Sequence, residues 1–323
     1  MSRLRRWSRA TVSRIGLARK GEREFADCHD ENRTDLALRD LQPGRRHGLH
    51  PAERPAPESR SEGAEERKIN MGFFDRFKRQ DKPQDTTQEA VQPDTPLTFQ
   101  PTGSFEIASC PGECALKYLE QLRNEGRSAG FTAILLGGKD DVDSLAENRN
   151  LDKTSAEEYL RLATNVDVEK WLKKQVEDDP EQYSSEIGKW PSEVPEAGSI
   201  LAHLEILSKK PKKVVYIAKI PTPRNWEAPA YIGMGGWNAC PDAAVLTAFA
   251  KCWHERYGAE VVSITHDIME FSAAKPPVTR EAAIELAKEQ YIFCADIVDQ
   301  GVGEVSTLAA TLLNSNYWYF WWD

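Results

Sequence analysis

Six cysteines in 323 residues are too few for a disulfide framework, and no apolar signal segment opens the chain. Free thiols and a cytoplasmic setting follow as expectations. No apolar stretch is long and continuous enough to cross a membrane. The longest late uncharged run, Val305 to Trp322, is broken in its middle by Asn314, Ser315 and Asn316, and reads as helix, turn and strand. Basic charge is also in deficit. With 42 basic against 51 acidic residues the net charge is −9, which argues against nucleic acid as a partner, because phosphate binding needs a basic footprint. No dinucleotide fingerprint is complete either: Gly233, Gly235 and Gly236 precede a helix but lack the full spacing and an acidic partner. No cofactor is expected.

What is present divides at Met71. Residues 1–70 carry 14 Arg and 2 Lys, whereas residues 71–323 carry 9 Arg and 17 Lys. The first segment sets 16 basic against 12 acidic residues, a net +4, and the remainder sets 26 against 39, a net −13. Without a persistent apolar period, the first seventy residues are expected to be a disordered extension. They also suggest a mis-set translation start, since Glu65-Glu66-Arg67-Lys68 can be written in purine codons just upstream of Met71. An organelle leader would carry fewer acids. Residues 71–100 read as a short amphipathic start, with Phe73, Phe74 and Phe77 clustered, followed by a polar linker. Arg76 at the sixth position does not support myristoylation.

From residue 101 the pattern predicts an α/β fold, a mixed sheet with flanking helices in two consecutive lobes, 101–210 and 211–323. The first lobe opens with strand SFEIA, a helix from Gly112 to about Asn124 and the apolar run FTAILLG. On that helix Ala115, Leu116, Leu119 and Leu122 form the core stripe, with Cys114 and Tyr118 pointing elsewhere. Val168, Trp171, Leu172 and Val176 make a second helical face. In the second lobe KVVYIAKI is a strand for a sheet covered on both faces. A helix runs from Pro241 to Tyr257 with Gly258 as its stop and Val245, Phe249, Cys252 and Trp253 inward. AEVVSI is the next strand, a helix capped by Thr279 follows, and a third helix carries Val305, Leu308 and Leu312. The chain closes on NYWYFWWD, aromatic on both faces and so a buried strand.

The segments GGWNACP, WHERYGAEVV, PPVTREAAIELAKEQYIFCAD and WYFWWD resemble the bacterial domain-of-unknown-function 4253 family. The resemblance runs from Trp226 to Asp323 and more faintly from Phe105 to Leu136. It implies an α/β fold and a bacterial, cytoplasmic setting, and it names no catalytic residue.

Several constellations can carry chemistry. Cys110 and Cys114 flank a strand-to-helix junction, where a helix N-terminus lowers a thiol pKa, but their C-x3-C spacing is not that of thioredoxin-type redox pairs. His266, Asp267 and Glu270 follow strand AEVVSI at its C-terminal end, where α/β sheets place ligands, and would supply metal-assisted hydrolysis. His254 and Asp296 are the other donors in this half. Arg256 and Gln290 fall on inward helix faces, where each needs a partner or lines a pocket. Trp226, Trp237 and Asn238 lie in a long Gly- and Pro-containing loop, a form often used for recognition. The expectation is a non-catalytic binding or interaction module. Its site would be Trp226, Trp237, Asn238, Arg256 and Gln290, its partner another protein, and one concrete form is immunity-like neutralisation of a basic toxin. The alternative is an enzyme: a metal-dependent hydrolase at His266, Asp267 and Glu270, or thiol chemistry at Cys110 and Cys114.

Overall fold

Seven strands form one mixed sheet, in the spatial order 100–101, 106–110, 215–220, 132–137, 259–264, 268–273 and 317–321. The computed structural model describes residues 95–183, 187–194 and 198–323. The expectations for residues 1–70, and for 71–94 of the linker, lie outside the described residues. The strands are β1 (Gln100–Pro101), β2 (Glu106–Cys110), β3 (Thr132–Gly137), β4 (Val215–Ile220), β5 (Ala259–Ile264), β6 (Ile268–Ala273) and β7 (Tyr317–Trp321). The helices are α1 (Gly112–Ala129), α2 (Lys139–Leu151), α3 (Ala156–Ala163), α4 (Val168–Asp178), α5 (Ala228–Ile232), α6 (Ala243–Tyr257), α7 (Arg280–Phe293) and α8 (Val305–Leu312). A π-helical turn, Ile297–Val302, joins α7 to α8. No described helix is long and apolar enough to cross a membrane.

The two halves expected as consecutive lobes share this sheet. β4, from the second half, lies between β2 and β3 of the first and pairs antiparallel with both. Its unbroken apolar run is what a strand covered on both faces requires. Among the described strands β3 and β5 are the one parallel pair, with Leu135 opposite Ser263. Their chains therefore leave the sheet at the same end, and this places the site described below.

Alternation at period two sends Ile134 and Leu136 of β3 to one face of the sheet and Ala133 and Leu135 to the other. The first face carries the larger core, where Trp253 of α6 stacks on Phe320 at 5.1 Å and meets Phe271, Phe293 and Trp318 edge-on. Such ring pairs add about 0.5–1.5 kcal/mol each beyond burial. The second face is covered by α1 over β3 and β4, and by the strap 198–212 beside β5 and β6. A bulge at Val262 turns Val262 and Ser263 to this same face: Val262 packs under α1, and Ser263 meets Glu270.

Several local expectations need correction. On α1, Leu116 is 38% exposed while Cys114 and Tyr118 are buried. The helix is rotated so that the Tyr118 hydroxyl reaches the Thr95 carbonyl at 2.7 Å. α6 begins two residues later than expected. Asp242 is its cap, accepting from the Val245 N–H, because a short polar acceptor serves the orphan donors better than Pro241 would. The strand β6 went unrecognised, since Glu270 interrupts its apolar run.

Candidate functional site

The site lies where β3 and β5 end. At the end of β3, Gly137 takes φ +78°, a conformation that favours glycine, and a Cβ there would collide with the Asp141 carboxylate. The chain turns at once into α2, and Asp141 in its first turn folds back so that Oδ2 accepts the Gly138 N–H at 2.7 Å. At the end of β5 the turn Thr265-His266-Asp267 leads into β6. Thr265 Oγ1 accepts from the Ile268 N–H and donates to Asp267 Oδ1 at 2.9 Å, while the Trp322 N–H holds the Asp267 carbonyl at 3.1 Å.

The third component is the strap. Its residue Lys212 is fixed through the main chain: its N–H donates to His203 O and its carbonyl accepts from the Gly112 N–H. A Cβ at Gly112 would strike this backbone, so glycine is required for the approach. Lys212 Nζ then reaches Asp141 Oδ2 at 2.9 Å, and His266 Nδ1 reaches Asp141 Oδ1 at 2.9 Å. His266 Nδ1 also lies 3.5 Å from Asp267 Oδ1. Asp141 thus ties together three segments that are distant in sequence.

Burial pushes the Asp141 carboxyl up, but hydrogen bonds from His266, Lys212 and the Gly138 N–H outweigh it and hold the group below the usual aspartate value. An ionised Asp141 accepts, so Nδ1 of His266 must carry the proton it donates. That bond raises the His266 pKa, burial working against it and Asp267 adding to it. The side chain of His266 remains 41% exposed, and its Nε2 has no hydrogen-bond partner among the described residues. It faces an open cleft lined by Asp141, Lys212, His266 and Asp267 with the apolar walls Leu201, Leu204, Ile206 and Ile268.

Glu270 does not join His266 and Asp267. It lies wholly buried on β6, accepting from the Leu201 N–H (2.6 Å), the Ala202 N–H (3.2 Å), the Tyr317 hydroxyl (2.5 Å) and the Ser263 hydroxyl. Burial raises its pKa, with the four donors pulling the other way. Its work is to anchor the strap that forms one wall of the cleft. The donors that do converge with His266 and Asp267 are those of Asp141, all within 4.8 Å of one another.

The other anticipated residues stand apart. Trp226 is half-buried against the His254 ring at 4.6 Å. Asn238 donates to the Asp323 carbonyl, and Trp237 keeps a buried Nε1 with no partner among the described residues. Arg256 is exposed rather than inward, and its Nη1 alone donates to both oxygens of Glu289, which also takes the Trp253 Nε1–H. Gln290 is inward and 1% exposed, and its Nε2 has no partner among the described residues. Cys110 and Cys114 are free and buried, and burial, with Cys114 adding, pushes the Cys110 thiol up to about 11.

The described residues thus form an α/β domain with a mixed seven-stranded sheet and a polar cleft at the ends of the parallel pair β3 and β5. Residues 216–323 match the model of a family described as Domain of unknown function (DUF4253), the family whose motifs the C-terminal segments resemble. No curated protein and no solved structure matches the chain. His266, Asp267 and Glu270 lie inside the matched range, whereas Asp141 and Lys212 lie before it. Sequence reasoning missed both. A signal existed for Asp141, a buried strand ending in Gly-Gly and followed by an acidic first helical turn, but Lys212 is one lysine among several and carried none.

Proposed function

We propose that this chain is a ligand-binding protein of the bacterial cytoplasm that takes a small polar molecule in the cleft at the ends of β3 and β5. The observation that carries this reading is His266, held through Nδ1 by the half-buried Asp141 carboxylate while Nε2 has no partner among the described residues and lies at the cleft. An imidazole oriented in this way is equipped to meet a ligand or a water. The five described cysteines are all free, which agrees with a reducing compartment.

Metal-assisted hydrolysis has one observation in its favour, the convergence of Asp141, His266 and Asp267. Against it, both Asp141 oxygens are engaged, and the Lys212 ammonium already occupies the place of a cation on Oδ2. Thiol chemistry is opposed by the burial and the raised pKa of Cys110, because the thiolate is the reactive form. A protein partner, including an immunity-like one, draws support only from the acidic charge of residues 71–323. The residues once grouped for it, Trp226, Trp237, Asn238, Arg256 and Gln290, engage separate partners or none.

The test is a two-dimensional NMR survey of the full-length, isotope-labelled chain against a set of small polar fragments. Hits should perturb residues 137–141, 201–212 and 265–268 together. Perturbations centred on 226–240, or none anywhere, would overturn the assignment.

A further inference from the structure

The charges around the cleft do not balance. Asp141 and Asp267 bring two carboxylates, and among the described residues Lys212 and His266 are the cationic side chains seen to pair with them. Glu205 and Lys209 at the rim are opposite in sign and cancel, and Tyr319 on the β7 side is neutral. With neutral His266 the cluster therefore carries one uncompensated negative charge in a half-enclosed site, where charges interact more strongly than in water. The hydrogen-bonding inventory points the same way. Thr265 and His266 both approach Asp267 Oδ1, and its second oxygen has no partner among the described residues. On the neutral ring, Nε2 is likewise an acceptor. A ligand entering from the mouth meets two open acceptors and a missing positive charge.

We propose that the cleft recognises an organic cation, a primary ammonium or a guanidinium on a short apolar chain, bonded to Asp267 and to Nε2 of His266. This rests on the cleft being the ligand site. The apolar chain would lie against Leu201, Leu204, Ile206 and Ile268. An organic cation fits better than a metal ion, since two acceptors suffice for an ammonium or guanidinium, whereas a bound metal demands further donors that Asp141 has already committed. The same slot can be filled by a proton on His266, which the raised pKa of that ring reflects. Proton and ligand then compete, and binding weakens as pH falls.

The test follows the ring C–H resonances of His266 in the full-length chain, assigned by their loss in His266→Gln. The probes are n-butylammonium, n-butylguanidinium, butyrate and zinc ion, each at about pH 8.5 and about pH 5.5. Both organic cations should shift His266 saturably at the higher pH and bind at least about tenfold more weakly at the lower. Asp267→Asn should remove the shift, while its retained Oδ1 keeps the bond from Thr265. Saturable binding of butyrate without the cations would overturn the ligand class and leave the cleft as the site. Zinc binding alone would replace it by the metal reading. Failure of all four probes at His266 would also overturn the ligand class, and the fragment survey would then decide whether the cleft binds at all.

Discussion

Replacing Asp141 by Asn perturbs the site at the point where its three segments meet. The carboxamide keeps the shape and can still accept the Gly138 N–H, but Lys212 loses its counter-ion and His266 loses its charged acceptor. Removing one partner of a fully buried ion pair costs about 3–5 kcal/mol. Here Asp141 and Lys212 are 13% and 18% exposed and His266 is 41% exposed, so solvent screens part of the loss and about 2–3 kcal/mol is expected. The pH dependence has a definite sign. Asp141 titrates below its unfolded value of 3.8, so its contribution is present above that pH and is lost as pH falls through the folded value. His266 titrates above its unfolded value of 6.5, so its contribution is complete below that pH and is lost as pH rises through the folded value. The stability difference between the two proteins should therefore peak between these limits and shrink on both sides. Urea unfolding followed by tryptophan fluorescence, at several values from about pH 3 to pH 9, measures it. A difference below about 0.5 kcal/mol, or one that does not change with pH, would refute the reasoning.

Three further outcomes can be checked. Glu270→Gln presents an N–H₂ group to one of the two strap N–H donors and should destabilise by about 1–3 kcal/mol under acid conditions. Since the folded pKa of Glu270 is raised, wild type itself loses stability as pH rises from its unfolded 4.5 through the folded value, so the gap to the variant should narrow with pH in the same urea titration. Gly137→Ala, which strains a φ of +78° and drives a methyl into Asp141, should cost at least about 2 kcal/mol and lower the His266 pKa by NMR. Alkylation of Cys110 by iodoacetamide near neutral pH should be slow in the native protein and become fast on unfolding, as read by mass spectrometry of tryptic peptides.

The elements that sequence made legible are those whose pattern is written within the element itself. The run of β4, the Thr279 cap of α7, the face of α8 and the two-sided aromatic strand β7 all follow directly from periodicity. β6 did not, because a buried carboxylate reads as an exposed one until its four donors are known, and two of those come from a strap 68 and 69 positions away. The site was half legible for the same reason. His266 and Asp267 stand at the end of a recognisable strand, but Asp141 lies 125 positions from His266 and 71 from Lys212. His266 meets Asp141 because β5 runs parallel beside β3, and Lys212 meets it because β4 starts next to the end of β3, pairing choices that local pattern does not encode. Trp226 is half-buried against His254 of α6, within the partly exposed connection that the Gly and Pro content of its loop suggests.

The central claim is that Asp141 holds the Nδ1 proton of His266 and leaves Nε2 open to the cleft. The most direct measurement is the imidazole ¹⁵N spectrum of His266 in the full-length chain at a pH above its titration. The account requires a protonated Nδ1 and a bare Nε2, a pattern that Asp141→Asn should abolish. A bare Nδ1 with the proton on Nε2, or a spectrum that the substitution leaves unchanged, would contradict it.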